Sequence, residues 1–203
     1  MKALLKKDIY VLTRQMKFFL VVIAAFCIVP GINLSAFAIA YCGMLPYTAM
    51  AYDERSKWPE LAAMMPYSSA ALVLSKYALG WLAILAGGAL TITAQLLTAV
   101  LLPERFTFFP AAVPLSLSIG FLVVALTLPP MFRFGVERGR MVLVLAVVAL
   151  ACGGAGFVQG AAEAGIASIS KAFVLVGFPL LALVLSAVSV PLSIALFERK
   201  MRS

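Results

Sequence analysis

Residues 77–102, with the sequence YALGWLAILAGGALTITAQLLTAVLL, run for 26 positions without a charged side chain. A helix of about 20 apolar residues spans the hydrocarbon core of a bilayer, so this stretch predicts a transmembrane helix. The whole chain has the same character, because 64% of its 203 residues are hydrophobic and 12% are charged. An average soluble domain has about 25% charged residues. The composition therefore argues against a soluble domain, a disordered chain or a secreted disulfide scaffold, and it predicts an integral membrane protein.

Five further apolar stretches accompany this one. The longest charge-free run, 18–52, predicts two short spans with a turn at Pro30-Gly31. In chain order, spans are predicted at 17–31, 35–52, 77–102, 111–132, 141–159 and 172–197. Pro129 and Pro130 are expected to break the end of the fourth span, since proline lacks the N–H that a helix interior needs. The predicted fold class is all-α, a polytopic membrane protein with six transmembrane helices in a single transmembrane domain over 1–203.

The distribution of basic residues supports this count. Fourteen of the 16 Lys and Arg residues fall in four segments, 1–17, 53–76, 133–140 and 198–203. Cytoplasmic loops of membrane proteins carry an excess of Lys and Arg, and six spans place all four segments on one side. We therefore predict a multi-pass protein of the cell membrane with both termini in the cytoplasm. The net charge of +8 is then a topology signal, and no nucleic-acid partner is expected.

Several function classes lose their usual residues in this chain. No charged side chain lies in the middle of a predicted span, which argues against an ion-coupled transporter and against a membrane-embedded enzyme. The chain has no histidine, and its three cysteines lie in apolar runs, so no metal site is expected. No GxxxxGK[ST] nucleotide loop occurs. The prediction is a non-enzymatic protein that binds no cofactor, with any ATP and Mg²⁺ held by a separate chain.

The N-terminal segment 1–17 predicts an amphipathic helix on the membrane surface. Its apolar residues recur at helical spacing, at Leu4, Leu5, Ile9, Leu12 and Met16. Basic residues separate them, as in helices that lie on lipid headgroups. We therefore expect this helix to contact membrane lipids.

The segment 53–76 predicts a short helix followed by the start of a longer one. Ser56 is expected to cap the short helix, with Pro59 in its first turn and Pro66 beyond its end. Ser68 or Ser69 is expected to cap the helix that enters the third span. The short helix has two interpretations: an interfacial helix that rests Trp58 among lipid headgroups, or a docking helix for a cytoplasmic partner.

A glycine-rich stretch follows the fifth predicted span. It contains Gly153, Gly154, Gly156 and Gly160. The spacing of Gly156 and Gly160 allows close helix packing. The same glycines could instead break a helix at membrane depth, where protein or water must cover the backbone.

The segment 53–76 and its flanks resemble the membrane subunit of a type-two ABC exporter, especially the small six-span permeases of bacterial peptide and antibiotic-resistance exporters. The matching pieces are Tyr52-Asp53-Glu54, Lys57-Trp58, Pro66, Ser68 and Val73-Leu74-Ser75-Lys76-Tyr77. The six-span layout and the basic N-terminal helix extend the likeness over the whole chain. In one departure, Pro59 stands where many relatives carry another residue.

The resemblance implies partners and roles that composition does not. Such permeases pair with a second copy or a paralogous permease and sit on two cytoplasmic ABC ATPase subunits. The segment 1–17 resembles their elbow helix, and 53–76 resembles the segment of their coupling helix. The ATPase-docking residues would be Asp53, Glu54, Lys57, Trp58, Glu60, Leu61 and Met65. The segment 153–171 resembles a re-entrant outer segment, with Gly153, Gly154, Gly156 and Gly160 at an outer gate.

The function expected from these observations is that of an exporter permease. It would move a hydrophobic or amphipathic substrate, such as a peptide, toxin or lipid, out of a bacterial cell, because walls without fixed charge suit such molecules. The alternative is a membrane assembly or immunity protein that transports nothing and binds a partner through the same short helix.

Overall fold

The computed structural model describes residues 2–15, 32–65, 67–101, 112–139 and 176–202, with scattered positions between 17 and 26 and between 141 and 148. Every regular element in these ranges is a helix, which confirms the all-α prediction for this part of the chain. The helices are α1 (Lys2–Gln15), α2 (Ile32–Gly43), α3 (Leu45–Arg55), α4 (Trp58–Ala63), α5 (Ser69–Leu101), α6 (Ala112–Phe134) and α7 (Phe178–Arg202).

Three of the described helices are long and apolar enough to cross a membrane. They are Ser69–Leu101, Val113–Phe134 and Phe178–Arg199. These helices correspond to the third, fourth and sixth predicted spans. The predicted spans 17–31 and 141–159 fall largely outside the described residues, so the count of six stays a prediction.

The second predicted span, 35–52, is divided between two helices. The chain turns at Met44, whose N–H donates to the Tyr41 carbonyl oxygen at 3.0 Å, three residues back instead of four. Pro46 follows in the first turn of α3, where it has no N–H to donate to a preceding helical turn. A single helix over 35–52 is therefore wrong, and the region consists of α2 and α3.

Helix α6 lies at the centre of the bundle. Of the 18-residue apolar stretch of α6, 67% is buried, against 22% of the corresponding stretch in α5 and in α7. It packs against α7, α2 and α5. Because α5 and α7 bury so little of their apolar surface, their outer faces are left for lipid or for another membrane chain.

Two glycines bring α2 and α6 close together. A Cβ atom on Gly120 would lie 2.9 Å from Cγ2 of Ile39 and 3.3 Å from the Ile39 carbonyl oxygen. A Cβ atom on Gly43 would lie 3.0 Å from the Gly120 carbonyl oxygen. The absence of side chains at these positions therefore permits the backbones to approach, as small residues do between membrane helices.

The prediction that Pro129 and Pro130 break the end of the fourth span is wrong, because α6 continues through both prolines to Phe134. Proline at 129 lacks the N–H that would bond to the Ala125 carbonyl oxygen. The Ser189 hydroxyl of α7 donates to that oxygen at 2.7 Å instead. A neighbouring helix thus replaces the bond that the proline removes, which lets the helix continue.

Ser189 also belongs to a buried polar network between α5 and α7. The Tyr77 hydroxyl oxygen lies 2.6 Å from Oγ of Ser189 and 2.7 Å from Oγ of Ser193. The Ser189 hydroxyl proton goes to the Ala125 carbonyl oxygen, so in its contact with Ser189 the Tyr77 hydroxyl is the donor. Because Tyr77 has a single hydroxyl proton, Ser193 donates to the Tyr77 oxygen. One turn along α5, the Trp81 Nε1–H donates to Oγ of Ser186 at 2.8 Å.

Replacing Ser189 by Ala is expected to destabilise the protein by about 1–3 kcal/mol, because the Ala125 carbonyl and the Tyr77 hydroxyl both lose a partner in a buried site. Thermal unfolding in detergent measures the loss. The double variant Pro129→Ala with Ser189→Ala regains the helical N–H for the Ala125 carbonyl, so it should recover part of the stability. A double variant no more stable than Ser189→Ala would contradict this role of Ser189.

Candidate functional site

Four charged side chains from three helices form a closed ring at the end of the bundle where α1, α3 and α5 meet. Lys7 Nζ lies 2.6 Å from Oδ1 of Asp53 and 3.0 Å from Oδ1 of Asp8. Lys76 Nζ lies 2.6 Å from Oδ2 of Asp53 and 2.8 Å from each carboxylate oxygen of Asp8. Positive and negative groups therefore alternate around this ionic ring, which consists of Lys7, Asp8, Asp53 and Lys76.

Three of the four members of the ionic ring are buried, whereas the side chain of Lys7 is 24% exposed, and the geometry of the ring compensates for the burial. Asp8 is 2% exposed, Lys76 7% and Asp53 8%. Removing a charge from water costs several kcal/mol unless partners replace the solvent. The Lys76 ammonium has three N–H donors and meets three carboxylate oxygens. The four charges sum to zero, so the ring leaves no net charge in the buried site.

The position of Asp8 in α1 explains why a carboxylate enters this site. Asp8 lies four residues from Leu4 and four from Leu12, so the three share one helix face. Leu4 is 3% exposed and Leu12 is 4% exposed. An acidic residue in the apolar stripe of an otherwise basic helix was the sequence signal for the ring. The prediction of a membrane-surface helix did not use it.

Helix α4 begins differently from the prediction. Lys57 is its N-cap, with a left-handed backbone at φ 53°, and makes no side-chain capping bond. The predicted cap, Ser56, instead donates to the Asp53 carbonyl oxygen at 3.2 Å and closes the end of α3. Pro59 lies in the first turn of α4, as predicted. The Ser56 assignment is wrong because the chain needs both residues 56 and 57 to turn between the two helices.

The long helix α5 begins as the sequence indicates. Oγ of Ser68 accepts the Ala71 N–H at 3.2 Å, so Ser68 caps the helix and Ser69 is its first residue. Ser69 donates to Oε1 of Glu198 at 2.9 Å, which brings the end of α7 beside the start of α5. The last residues of the predicted segment 53–76 are therefore already helical.

Helix α4 attaches to α1 on one side and exposes apolar side chains on another. Lys7 Nζ lies 4.3 Å from the centroid of the Trp58 ring, a cation–π contact. Ala62 is 3% exposed and faces the bundle. Three side chains point outward: Leu61 of α4, which is 48% exposed, and Met64 and Met65 just after its last residue, which are 84% and 41% exposed. We name these three residues the α4 apolar surface.

Glu54 connects the end of α3 to the turn after α6. Its Oε2 accepts the Val136 N–H at 3.1 Å. Gly135, just before, has a φ of +83°, and a Cβ atom there would lie 3.1 Å from Oε1 of Glu54. Glycine therefore suits both the backbone conformation and the close approach of the carboxylate.

A cavity of about 170 Å³ lies between α4, the ionic ring and the ends of α6 and α7. Trp58, Met131 and Phe132 line it, and Phe132 stacks edge-to-face on Phe197 with centroids 5.7 Å apart. The ionic ring borders the same cavity. The base of α4 thus borders a site that the side chains of the described residues do not fill completely.

The predicted docking residues have two kinds of position. Asp53, Glu54 and Trp58 contact other parts of the bundle. Glu54, Lys57, Leu61 and Met65 are exposed. The side chain of Glu60 lies outside the described residues. The predicted outer-gate glycines, Gly153, Gly154, Gly156 and Gly160, also lie outside them. Met64, the most exposed residue of the α4 apolar surface, was absent from the prediction, although its place beside Met65 just after a short helix could have indicated it.

Comparison with known proteins agrees with this architecture. A family model described as ABC-2 family transporter protein matches residues 3–198. No curated protein and no solved structure matches the chain. The family match spans nearly the whole sequence and includes the ionic ring, α4 and the three long apolar helices. The chain therefore belongs to the ABC-2 transporter family and is the multi-pass, non-catalytic membrane subunit of an ABC transporter, whose partner is an ATPase.

Proposed function

We propose that this subunit is an exporter permease and that α4 is the helix through which it docks onto its ATPase. The observation that carries the proposal is the α4 apolar surface at the charged end of the bundle. Interface cores are apolar and enriched in Met, whose flexible side chain adapts to a partner. The short helix α4 cannot shield this surface from water, so in this proposal a partner protein buries it.

The attachment of α4 favours a role in transmitting force. Trp58 contacts Lys7, and Ala62 packs inward, so the helix has an anchored side and a free side. A docking element needs both, since it must hold the partner and move the spans behind it. In this proposal Leu61, Met64 and Met65 contact the ATPase, while Asp53, Glu54 and Trp58 position the helix.

The arrangement of charges supports a cytoplasmic position for α4. The ionic ring, the Glu54 contact and the Ser69–Glu198 hydrogen bond all lie at one end of the bundle. In this proposal that end faces the cytoplasm of a bacterial cell, with both termini on the same side. Two ATPase subunits and a second permease, identical or paralogous, complete the transporter.

The substrate proposed is hydrophobic or amphipathic, such as a peptide, toxin or lipid-like molecule. Residues 77–101, 113–132 and 178–197 contain no Asp, Glu, Lys, Arg or His. A path between such helices offers apolar contact and hydroxyl groups, which suits molecules that already partition into membranes. Reconstituted complex should therefore show ATPase activity that rises with amphipathic peptides or lipids and does not rise with sugars or metal ions.

Placing aspartates on the α4 apolar surface is expected to detach the ATPase. The variant Leu61→Asp with Met64→Asp buries two charges at the contact, which should weaken association about tenfold or more. Co-purification with the partner ABC ATPase, after co-expression, measures the effect. The matched control, Leu61→Met with Met64→Leu, keeps the apolar area and should recover the complex fully.

Both variants should elute as monodisperse protein, because the two side chains are exposed and do not support the bundle. Equal recovery of the ATPase with the aspartate variant and with the control would overturn the docking assignment.

A further inference from the structure

We infer that the ionic ring is a clamp that makes α1 move as one body with the docking helix α4. This inference rests on the proposed function, because it assigns α4 the contact with the ATPase. The ring residues Lys7, Asp8, Asp53 and Lys76 are positioning residues in this role. They lie outside the α4 apolar surface, so their effect on the ATPase is indirect.

The clamp holds α4 from two directions. Helix α4 follows α3 after two residues, and Asp53 near the end of α3 is a member of the ring. On the other side, Trp58 of α4 lies on the ammonium of Lys7, which belongs to α1. A displacement of α4 therefore acts on the ring through the backbone of α3 and through the Trp58 contact.

The distribution of charge between the helices decides what holds α1. Helix α1 contributes Lys7 and Asp8, while α3 contributes Asp53 and α5 contributes Lys76. Within the ring each side is neutral, so the attraction between α1 and the bundle comes from two short contacts between opposite charges and weakens quickly when these contacts separate. These contacts, Lys7 to Asp53 and Asp8 to Lys76, require one register of α1 against the other helices. Apolar contacts are non-directional and would let α1 slide, whereas these contacts fix its position along the other helices.

The consequence for the transport cycle is a larger moving unit. When the ATPase displaces α4, α1 follows, and the movement reaches the chain segment that precedes the first predicted span. Without the ring, α4 would move and α1 would not follow it. Less of the displacement caused by the ATPase would then reach the membrane spans. The effect therefore falls on coupling, the amount of substrate moved for each ATP, and leaves association with the ATPase intact.

The variant Lys7→Gln with Asp8→Asn separates this role from stability. It removes one charge of each sign, leaves the Lys76–Asp53 pair neutral, and cuts the charged contacts between α1 and the bundle. The control variant Lys6→Gln with Glu137→Gln also removes one charge of each sign, from exposed positions. Both are tested in the complete permease–ATPase complex in lipid nanodiscs.

Spin labels at Tyr10 on α1 and Arg55 at the end of α3 report the clamp directly, in a background without native cysteines. Both positions are exposed. In the parent and the control, we expect a narrow distance distribution with the same mean before and after ATP trapping. In Lys7→Gln with Asp8→Asn, we expect a broad distribution and about tenfold less transport for each ATP hydrolysed, with unchanged recovery of the ATPase. A narrow distribution together with normal coupling in this variant would overturn the clamp.

A conservative variant protects the test against misfolding. The substitution Lys7→Arg keeps a positive charge beside Asp53 and a cation over the Trp58 ring. This variant should keep the narrow distribution, and a broad one would also overturn the clamp. Failure of the proposed function has a different signature, because the aspartate variant of the α4 apolar surface would then recover the ATPase as well as its control does.

Discussion

Replacing Lys76 by Met is expected to lower the free energy of unfolding by about 3 kcal/mol, since breaking a buried ion pair leaves an uncompensated charge. Methionine preserves the length of the side chain, so the loss comes from the ammonium. Asp8 and Asp53 would then face Lys7 alone, and one buried carboxylate would lack a partner. Thermal unfolding of the purified permease in detergent should show a midpoint lower by about 10 °C.

Two further variants decide whether charge is the cause. Lys6→Met makes the same substitution at an exposed position of α1 and should leave the midpoint unchanged. Adding Asp8→Asn to Lys76→Met restores neutrality around the Lys7–Asp53 pair, so much of the stability should return. If Lys76→Met unfolds at the same temperature as Lys6→Met, the ring contributes no stability and this account is wrong.

Replacing Gly120 by Leu is expected to lower the free energy of unfolding, because the larger side chain disrupts the close packing of α2 on α6. Its Cβ alone would lie 2.9 Å from Ile39 and 3.2 Å from Cγ1 of Ile84. Overpacking a well-filled core costs about 1–3 kcal/mol or more. Leucine gains about 1 kcal/mol in helix propensity over glycine, which offsets only part of that cost.

The same thermal assay tests the glycine contact. Ala86→Leu enlarges an exposed position of α5 and serves as the control, with an unchanged midpoint expected. Gly120→Ala should fall between the parent and Gly120→Leu, because a single methyl group still meets the Ile39 carbonyl at 3.3 Å. A Gly120→Leu variant as stable as the parent would show that α2 and α6 do not depend on their close approach.

The long helices could be predicted because a membrane span is a local property. The charge-free residues 77–102 fix the identity of α5, and the composition of 111–132 and 172–197 does the same for α6 and α7. The cap at Ser68 was predictable for the same reason, since a capping side chain bonds three residues ahead.

The ionic ring could not be predicted in this way, because its contacts join distant residues. Asp8 and Lys76 are separated by 68 positions, and Lys7 and Asp53 by 46. The family resemblance drew attention to Asp53 as a docking residue, yet the structure buries that carboxylate in the ring. The continuation of α6 through Pro129 was missed for the same reason, since the compensating Ser189 lies 64 positions from the Ala125 carbonyl that it satisfies.

The wide separation of the ring residues also has a consequence for biosynthesis. A ribosome adds roughly 5–20 residues per second, so Lys76 is made roughly 3–14 s after Asp8. During that interval Asp8 has only its neighbour Lys7, and α1 has only its amphipathic surface to hold it. The first helix to leave the ribosome, α1, can therefore reach its final register only after the start of α5 has been synthesised. A ribosome that pauses before residue 76 delays the formation of the ionic ring and the packing of α1 on the bundle.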